Sequence, residues 1–159
     1  MREKILDLSQ LREESRRLRA QGKSLVATNG CFDILHVGHV RYLAAARRLG
    51  DALAVGLNGD ASVRMLKGES RPLNTERDRA EVLAALESVT YVTIFHEELA
   101  TRFLEAAQPA IYVKGGDYNI DSLDREERRM VADFGAKVEI IPFQAGYSTT
   151  ALLDKMRNG

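Results

Sequence analysis

The sequence predicts an α/β fold, a single domain in which a doubly wound parallel sheet lies between two layers of helices. Three observations predict it. Short apolar runs alternate with segments of helical periodicity from one end of the chain to the other. The run at 52–57 is continuously apolar, which is typical of a parallel strand buried on both faces. No repeat or low-complexity tract interrupts the 159 residues, a length that suits one domain.

The amino-acid composition indicates which cellular compartment and which classes of partner to expect. Lysine plus arginine equals aspartate plus glutamate at 23 each, so no net charge attracts nucleic acid or an acidic membrane surface. The single cysteine cannot form an internal disulfide and fits a reducing compartment. The N-terminus lacks the apolar core of a signal peptide, and no run is long enough to span a bilayer. We therefore expect a cytoplasmic protein with no nucleic acid and no membrane among its partners.

The first 22 residues are predicted to form an N-terminal helix ahead of a core at 24–156. Leucines at 8, 11 and 18 stand among many charges, the pattern of an amphipathic surface helix over 8–20. Asp7 or Ser9 can cap its start, and Gly22 can end it.

The first half of the core begins with an apolar strand at 25–28. A glycine turn then leads to a helix whose apolar residues continue to Leu49. The strand at 52–57 follows, and a polar turn after it leads into a short helix at 61–66. After a loop, Thr75 is placed to open a helix that reaches about residue 86.

The second half repeats the alternation. A β-branched and aromatic strand at 91–95 precedes a helix at 98–107, which Pro109 limits. The remaining elements are predicted in the order strand 111–113, helix 124–134, strand 137–141 and helix 148–156.

One stretch at 28–39, TNGCFDILHVGH, concentrates chemistry between the first strand and the second helix. His36 and His39 are three residues apart at the helix start, so their side chains share a face. The free N–H groups of a first helical turn and the helix dipole favour a phosphate there, and Gly38 allows close approach to the backbone. Zinc ligation is a weaker alternative, since only Cys31 and His96 could complete a ligand set. The other alternative is a pair of ordinary helix-start histidines.

Three further groups of residues carry possible chemistry, each with a simpler structural alternative. Ser148 and Thr149 precede the last helix and can cap it or bind phosphate oxygens. Lys67, Arg71 and Arg79 are cations that could face phosphates or merely solvent. The segment 114–117, KGGD, follows the strand at 111–113 and could admit a flat ligand or simply turn tightly. Because these residues mostly follow strands, they are expected to converge on one cleft at the carboxyl ends of the sheet.

The stretch at 28–39 resembles the G-x-F-D-x-x-H-x-G-H motif of the nucleotidyltransferase superfamily that includes the cytidylyltransferases. The segment 146–150, GYSTT, is similar to the second motif of that superfamily, G-x-S-T-T. Segments 71–74, 83–86 and 113–118 are similar to the adenylyltransferase family that makes ADP-heptose from heptose 1-phosphate. Phe143 stands where cytidylyltransferases carry an arginine, which makes CTP a less expected donor.

The resemblance implies a Rossmann-like fold and a site that transfers a nucleotide from ATP to a sugar 1-phosphate, with Mg²⁺ on the triphosphate and no dedicated metal cage. Its implied residues fall into three groups. The catalytic group is His36, His39, Lys67, Arg79 and Thr149. The nucleotide-binding group is Asn29, Gly30, Cys31, Phe32, Gly38, Lys114, Gly115, Asp117, Ser148 and Thr149. The acceptor-binding group is Asp33, Asn58, Asp60 and Arg71.

Several alternatives remain open at this point. Other small transferases of the superfamily use CTP with glycerol 3-phosphate or an amino-alcohol phosphate, use GTP with heptose 1-phosphate, or act on a pantetheine phosphate. A nucleotide-binding module without turnover is the alternative from another class. The sequence leaves the assembly open, including a homodimer.

Overall fold

The computed structural model describes residues 2–116, 123–142 and 146–159. Its five strands are β1 (Leu25–Gly30), β2 (Ala52–Asn58), β3 (Tyr91–Phe95), β4 (Ile111–Gly115) and β5 (Lys137–Ile141). They form one sheet in the order β3-β2-β1-β4-β5, and every neighbouring pair is parallel. The predicted parallel sheet is confirmed.

The helices connect successive strands or flank the sheet at its ends. In the part of the chain that the structure describes, they are α1 (Leu8–Ala20), α2 (Val37–Arg47), α3 (Asp60–Lys67), α4 (Glu76–Ala84), α5 (Thr101–Ala107), α6 (Arg125–Asp133) and α7 (Thr149–Asn158). A short 3-10 turn, Arg2–Lys4, precedes them. No helix among the described residues is both long enough and apolar enough to cross a membrane.

Alternation along the strands builds two cores, one on each face of the sheet. Ala27 of β1 packs with α1, α5 and α6, and its neighbour Val26 packs on the opposite face with α2 and α4. The same alternation holds in β4, where Tyr112 and Val113 join opposite cores. This arrangement is the predicted three-layer, doubly wound α/β fold.

Polar side chains at predicted positions cap the first turns of several helices. Asp7, one of two candidates for α1, forms a reciprocal capping box with Gln10. Thr75 opens α4 by accepting the backbone N–H of Asp78, and Asp124 opens α6.

Three predicted boundaries were wrong, and two of them, the ends of β1 and β4, matter for the cleft. Strands β1 and β4 each run two residues further than predicted, because Asn29 and Gly30 stay in register with β2 and Lys114 and Gly115 stay in register with β5. Helix α5 starts at Thr101 instead of 98, since the preceding Ala100 N–H bonds to a side chain of α6. The longer strands carry polar residues into the cleft.

The strand order reverses between β1 and β4, which go on to neighbours on opposite sides. In open α/β sheets a crevice forms at the carboxyl ends of such a pair, since the connections leave in opposite directions. The stretch 28–39, here named the histidine segment, runs out of β1 at this point, and Lys114 and Gly115 end β4 beside it. The fold therefore places the conspicuous motif at the position where a ligand fits.

Candidate active site

Two histidines at the start of α2 form the centre of the site. His36 is the N-cap, and its Nδ1 accepts the Gly38 N–H at 3.1 Å. The Nδ1 of His39 accepts the His36 N–H at 3.3 Å, and the two rings lie 4.0 Å apart. A neutral imidazole whose Nδ1 accepts carries its proton on Nε2. Each ring therefore keeps one Nε2–H donor for a ligand.

Both imidazoles are neutral at physiological pH. Burial, which is the largest cause, and the neighbouring His36 and Lys67 together lower the pKa of His39 to about 4. Burial also lowers the pKa of His36 below its usual range. A polyanion bound beside the rings would favour the protonated form and raise both pKa values.

Glycine is required at two positions around this pair. A Cβ on Gly38 would lie 2.8 Å from His36 Cε1 and 2.9 Å from the Cβ of Tyr147. A Cβ on Gly30 would lie 2.9 Å from the Phe32 ring, which itself meets His39 edge-on at 5.4 Å between centroids. These glycines let the histidine segment fold tightly against the end of β1.

Two cavities meet at the histidines. The first, here named the α7 cavity, has a volume of about 430 Å³ and is lined by His36, Gly38, His39, Arg41, Tyr42, Ala45, Lys67, Ile141, Pro142 and the segment 147–150. The second, the β4 cavity, has a volume of about 700 Å³ and is lined by Asn29, Gly30, Cys31, Phe32, Asp33, His39, Tyr42, Asn58, Leu66, Lys67, Arg71, Glu98, Leu99, Lys114, Gly115, Asp124, Glu127 and Thr149. His39, Tyr42, Lys67 and Thr149 line both. The site therefore has two compartments with a shared cationic and hydrogen-bonding boundary.

The start of α7 closes the first compartment. Ser148 is the N-cap, because its Oγ accepts the Ala151 N–H at 2.9 Å. The Thr149 hydroxyl instead donates to the Ile34 carbonyl at 3.4 Å, which ties α7 to the histidine segment. Of the two candidates for the cap, Ser148 is the one that caps.

Asp33 anchors the loop between α3 and α4, which carries Arg71. Its carboxylate accepts the Arg71 Nε–H at 2.8 Å and the backbone N–H groups of Leu73 and Asn74. Burial alone would raise the pKa of Asp33, but these hydrogen bonds outweigh it and hold the pKa below its usual range. Asp33 and Arg71 both line the β4 cavity, and the Asp33 carboxylate is committed to the loop.

Arg79 is a correction to the sequence-based prediction of a phosphate-facing arginine. Only 2% of it is exposed, and its guanidinium donates to the carbonyls of Cys31, Asn58 and Asn74 at 2.6–3.0 Å. It also forms a 2.8 Å ion pair with Asp60. Neither Arg79 nor Asp60 is among the described residues that line the two cavities. This arginine joins the ends of β1 and β2 to the loop before α4, so its direct contribution is to the shape of the site.

The end of β4 carries a buried charge. Lys114 is 8% exposed, and its Nζ lies 3.3 Å from Asn29 Oδ1 and 3.8 Å from Glu127 Oε2. Burial lowers the pKa of Lys114, and the nearby Glu127 carboxylate opposes that shift. Glu127 lies in α6, a helix that gave no functional signal in the sequence.

The predicted site residues therefore divide by position. The cleft is lined by the predicted residues of the histidine segment, of the carboxyl end of β4 and of the start of α7. Lys67, Arg71 and Asn58 also line it. Asp117 and Phe143 lie outside the described residues. Cys31 is half-buried, and burial raises the pKa of its thiol, which suits packing better than nucleophilic attack. Sequence reasoning did not single out the lining residues Arg41, Tyr42, Tyr147, Glu98, Asp124 and Glu127, although Arg41 and Tyr42 directly follow the motif in α2.

A metal ion held by the protein alone has no support in the described part of the chain. No three His, Cys, Asp or Glu side chains there are grouped closely enough to hold one. The residues that line the two cavities fit a divalent ion that arrives on the phosphates of a nucleotide. The usual ligands of such an ion are waters and phosphate oxygens.

Comparison with known proteins agrees with this geometry. The cytidylyltransferase-like family model matches residues 27–155. The bifunctional protein HldE of Geotalea uraniireducens is 49% identical over 156 residues, which are 98% of this chain and 31% of that protein. HldE of Geobacter sulfurreducens is 50% identical over 138 residues, 87% of this chain and 28% of that protein. The chain thus spans about a third of the length of the curated relatives it matches.

Two solved structures share the fold of this chain. The lipopolysaccharide core biosynthesis protein of Thermoplasma volcanium aligns with a TM-score of 0.63 and 29% identity, covering 77% of this chain and 98% of that one. Pantoate-beta-alanine ligase of Francisella tularensis shares the fold, with a TM-score of 0.65 at 15% identity over 95% of this chain and 72% of that one. The sheet topology, the paired histidines and the family match lead to one conclusion: the chain belongs to the cytidylyltransferase-like family of nucleotidyltransferases.

Proposed function

We propose that the protein transfers the adenylyl group of ATP to a sugar 1-phosphate, with D-glycero-D-manno-heptose 1-phosphate as the acceptor and ADP-heptose as the product. The observation that carries the proposal is the meeting of two cavities at His39, Lys67 and Thr149. Two anionic ligands can each occupy one compartment and still place their phosphates against the same hydrogen-bonding groups.

The reaction requires little from the protein beyond positioning and charge stabilisation. An oxygen of the acceptor phosphate attacks the α-phosphorus of ATP, a new P–O bond forms, and the α–β bridging bond breaks to release pyrophosphate. A phosphate monoester has a second pKa of about 6, so the attacking oxygen is already largely ionised at neutral pH. No general base is needed, and each histidine can donate from Nε2 both in the neutral form and in the protonated form that bound phosphates favour.

Each part of the shared boundary then has a task. His36 and His39 donate to phosphate oxygens, and their position at the start of α2 adds the positive end of the helix dipole. Lys67 brings a full positive charge from the end of α3, on a side chain that is exposed and free to reach. The Thr149 hydroxyl and the start of α7 face the same phosphates from the other side.

A divalent ion accompanies the nucleotide in this proposal. Mg²⁺ bound to the triphosphate would neutralise part of the charge that develops on the leaving pyrophosphate. Because no protein cage is required, the ion enters and leaves with its nucleotide. We expect such an enzyme to work in the cytoplasm, where ATP is available, on small-molecule substrates alone.

The choice of acceptor and donor rests on the end of β4 and on the relatives. The segment beginning at Val113 is similar to heptose adenylyltransferases, and the relatives that match most of this chain are bifunctional HldE proteins. A Thermoplasma structure that aligns over nearly its full length bears the name of a lipopolysaccharide core biosynthesis protein. These likenesses favour a sugar of surface glycans over glycerol 3-phosphate.

The test is pyrophosphate release over a grid of donors and acceptors, each measured with and without Mg²⁺. ATP, CTP and GTP would be combined with heptose 1-phosphate, glycerol 3-phosphate and phosphopantetheine. We expect efficient turnover only for ATP with heptose 1-phosphate in the presence of Mg²⁺. Turnover of glycerol 3-phosphate with CTP would replace the proposed substrates, and nucleotide binding without any turnover would replace the enzyme with a binding module.

A further inference from the structure

On the β4 side, the wall of the β4 cavity contains a buried ion pair. Lys114 and Glu127 are 8% and 5% exposed, and both line the cavity. The carboxylate accepts the Ala100 N–H at 3.1 Å, and the Tyr112 hydroxyl oxygen lies 3.5 Å from Glu127 Oε2. Asn29 joins the same cluster through its Oδ1, which accepts from both Tyr112 and Lys114.

This cluster is costly to the fold. Removing two opposite charges from water carries a desolvation penalty that their attraction repays only with good geometry, and 3.8 Å between Nζ and Oε2 is long for such a pair. Burial lowers the pKa of Lys114 in spite of its partner. Well-packed apolar residues would serve a purely structural role at least as well. A ligand that bonds to these groups would account for their charges.

The cavity is also asymmetric in charge across β1. On the β2 side, Lys67 and Arg71 bring positive charge. On the β4 side, the Lys114–Glu127 pair is neutral as a unit, and Glu98 and Asp124 add negative charge at exposed positions. A ligand with its phosphate on the first side and an uncharged, hydroxyl-rich body on the second side matches this distribution. A ligand with anionic groups at both ends does not.

We propose that Glu127, together with the Lys114 that it holds, determines acceptor specificity by bonding to hydroxyl groups of a neutral polyol body. Lys114 donates to hydroxyl oxygens, and Glu127 accepts from hydroxyl protons while fixing the ammonium in place. This inference rests on the proposed function for the location of the acceptor, and it adds the residues that distinguish a sugar phosphate from a simple phosphate.

Binding without nucleotide tests the inference separately from turnover. Calorimetric titration would compare heptose 1-phosphate with inorganic phosphate on the wild type, on Glu127→Gln, and on Glu126→Gln as a control. The control makes the same charge change one residue earlier in α6, at an exposed position outside the cavity lining. We expect the wild type and the control to bind the sugar phosphate at least tenfold more tightly than inorganic phosphate. Glu127→Gln should lose about 10- to 100-fold of sugar-phosphate affinity and little of phosphate affinity.

Turnover measurements distinguish a specificity role from a purely structural one, because a structural role would weaken the use of acceptor and of ATP together. In Glu127→Gln the acceptor KM should rise while the ATP KM stays within about twofold of wild type. If Glu127→Gln folds poorly in a thermal melt, the double variant Lys114→Gln with Glu127→Gln removes both charges without leaving one unpaired, and the same binding pattern is expected.

The outcomes separate the two proposals. Pyrophosphate release from ATP with unchanged discrimination in both variants would overturn the specificity role and keep the proposed function. Lost discrimination in the variants without pyrophosphate release in the wild type would support the specificity role and overturn the function. Equal binding of the sugar phosphate and inorganic phosphate by the wild type would overturn the specificity role directly.

Discussion

His39 Nδ1 accepts the backbone N–H of His36 across 3.3 Å, and this contact fixes the direction of the second ring. Because the proton of the neutral imidazole must then lie on Nε2, the ring presents a donor to the boundary between the two cavities. The first histidine of the motif thus orients the second, and their three-residue spacing is what makes the contact geometrically possible.

Replacing His39 with alanine should remove most turnover and leave the fold intact. Loss of one donor to developing charge typically lowers kcat by about 10²- to 10³-fold. The measurement is steady-state pyrophosphate release together with a thermal melt. His96→Ala is the matched control, since it is the third histidine and is exposed outside the lining of both cavities. A His39→Ala enzyme within a few-fold of wild type would remove this residue from the catalytic group.

The depressed pKa of His39 should make stability depend on pH in a defined window. The ordinary pKa is 6.5 and the folded-state pKa is about 4, so between these values the unfolded chain binds a proton that the folded protein does not. Stability therefore falls as the pH drops from about 6.5 to about 4. Below about pH 4 this group causes no further loss of stability. His36, whose pKa is lowered in the same direction, contributes with the same sign.

Urea midpoints at pH 7.5, 6.0 and 5.0 would measure the effect in the free protein. His39→Asn cannot titrate, so its midpoint should fall less than that of the wild type over this range. Identical pH slopes for the two proteins would show that His39 does not have a depressed pKa. A saturating triphosphate should also reduce the slope, because it raises the pKa of both rings in the folded state.

Ser148 and Thr149 should separate stability from activity. Ser148→Ala removes the N-cap of α7 and should cost about 1 kcal/mol of unfolding free energy. Thr149→Ala removes a hydroxyl that lines both cavities, so it should lower kcat/KM with a smaller change in stability. Thr149→Ser keeps the hydroxyl and should restore most activity. Should Thr149→Ala lose stability alone, its hydroxyl serves only the contact with Ile34.

The sequence was most informative where local chemistry decides the structure. The alternation of apolar runs and helical segments predicted the parallel sheet, and polar residues at strand ends predicted the cleft. His36, His39 and Gly38 could be found because a helix start specifies the geometry of its first turn. Strand length was less predictable, because the extension of β1 to Gly30 depends on register with β2, a contact between distant parts of the chain.

Residues whose role depends on tertiary contacts escaped detection. Glu127 looked like one charge among many in a polar helix, and only the packing of α6 against α5 brings it to Ala100 and Lys114. The charge of Arg79 predicts a position beside the phosphates, whereas the structure buries its guanidinium among backbone carbonyls. A charge pattern cannot show whether a long side chain extends into the cleft or turns back into the fold.

Arg79 should therefore behave as a structural residue whose loss also distorts the site. A lysine at this position keeps the charge but cannot replace a planar fork that donates to the carbonyls of Cys31, Asn58 and Asn74 together. Each buried carbonyl left without a donor costs about 1–3 kcal/mol, so Arg79→Lys should lose at least about 2 kcal/mol of unfolding free energy. Chemical denaturation of Arg79→Lys and of Arg77→Lys, an exposed position in the same helix, measures this difference.

Activity distinguishes this role from a direct phosphate contact. If Arg79 only supports the backbone, kcat/KM of the lysine variant should recover toward wild type when the temperature is lowered well below its melting point. A direct contact with the transferring phosphate would instead leave a temperature-independent loss in kcat with little change in stability. That second pattern would return Arg79 to the catalytic group and require its guanidinium to leave the carbonyls of Cys31 and Asn58 when the nucleotide binds.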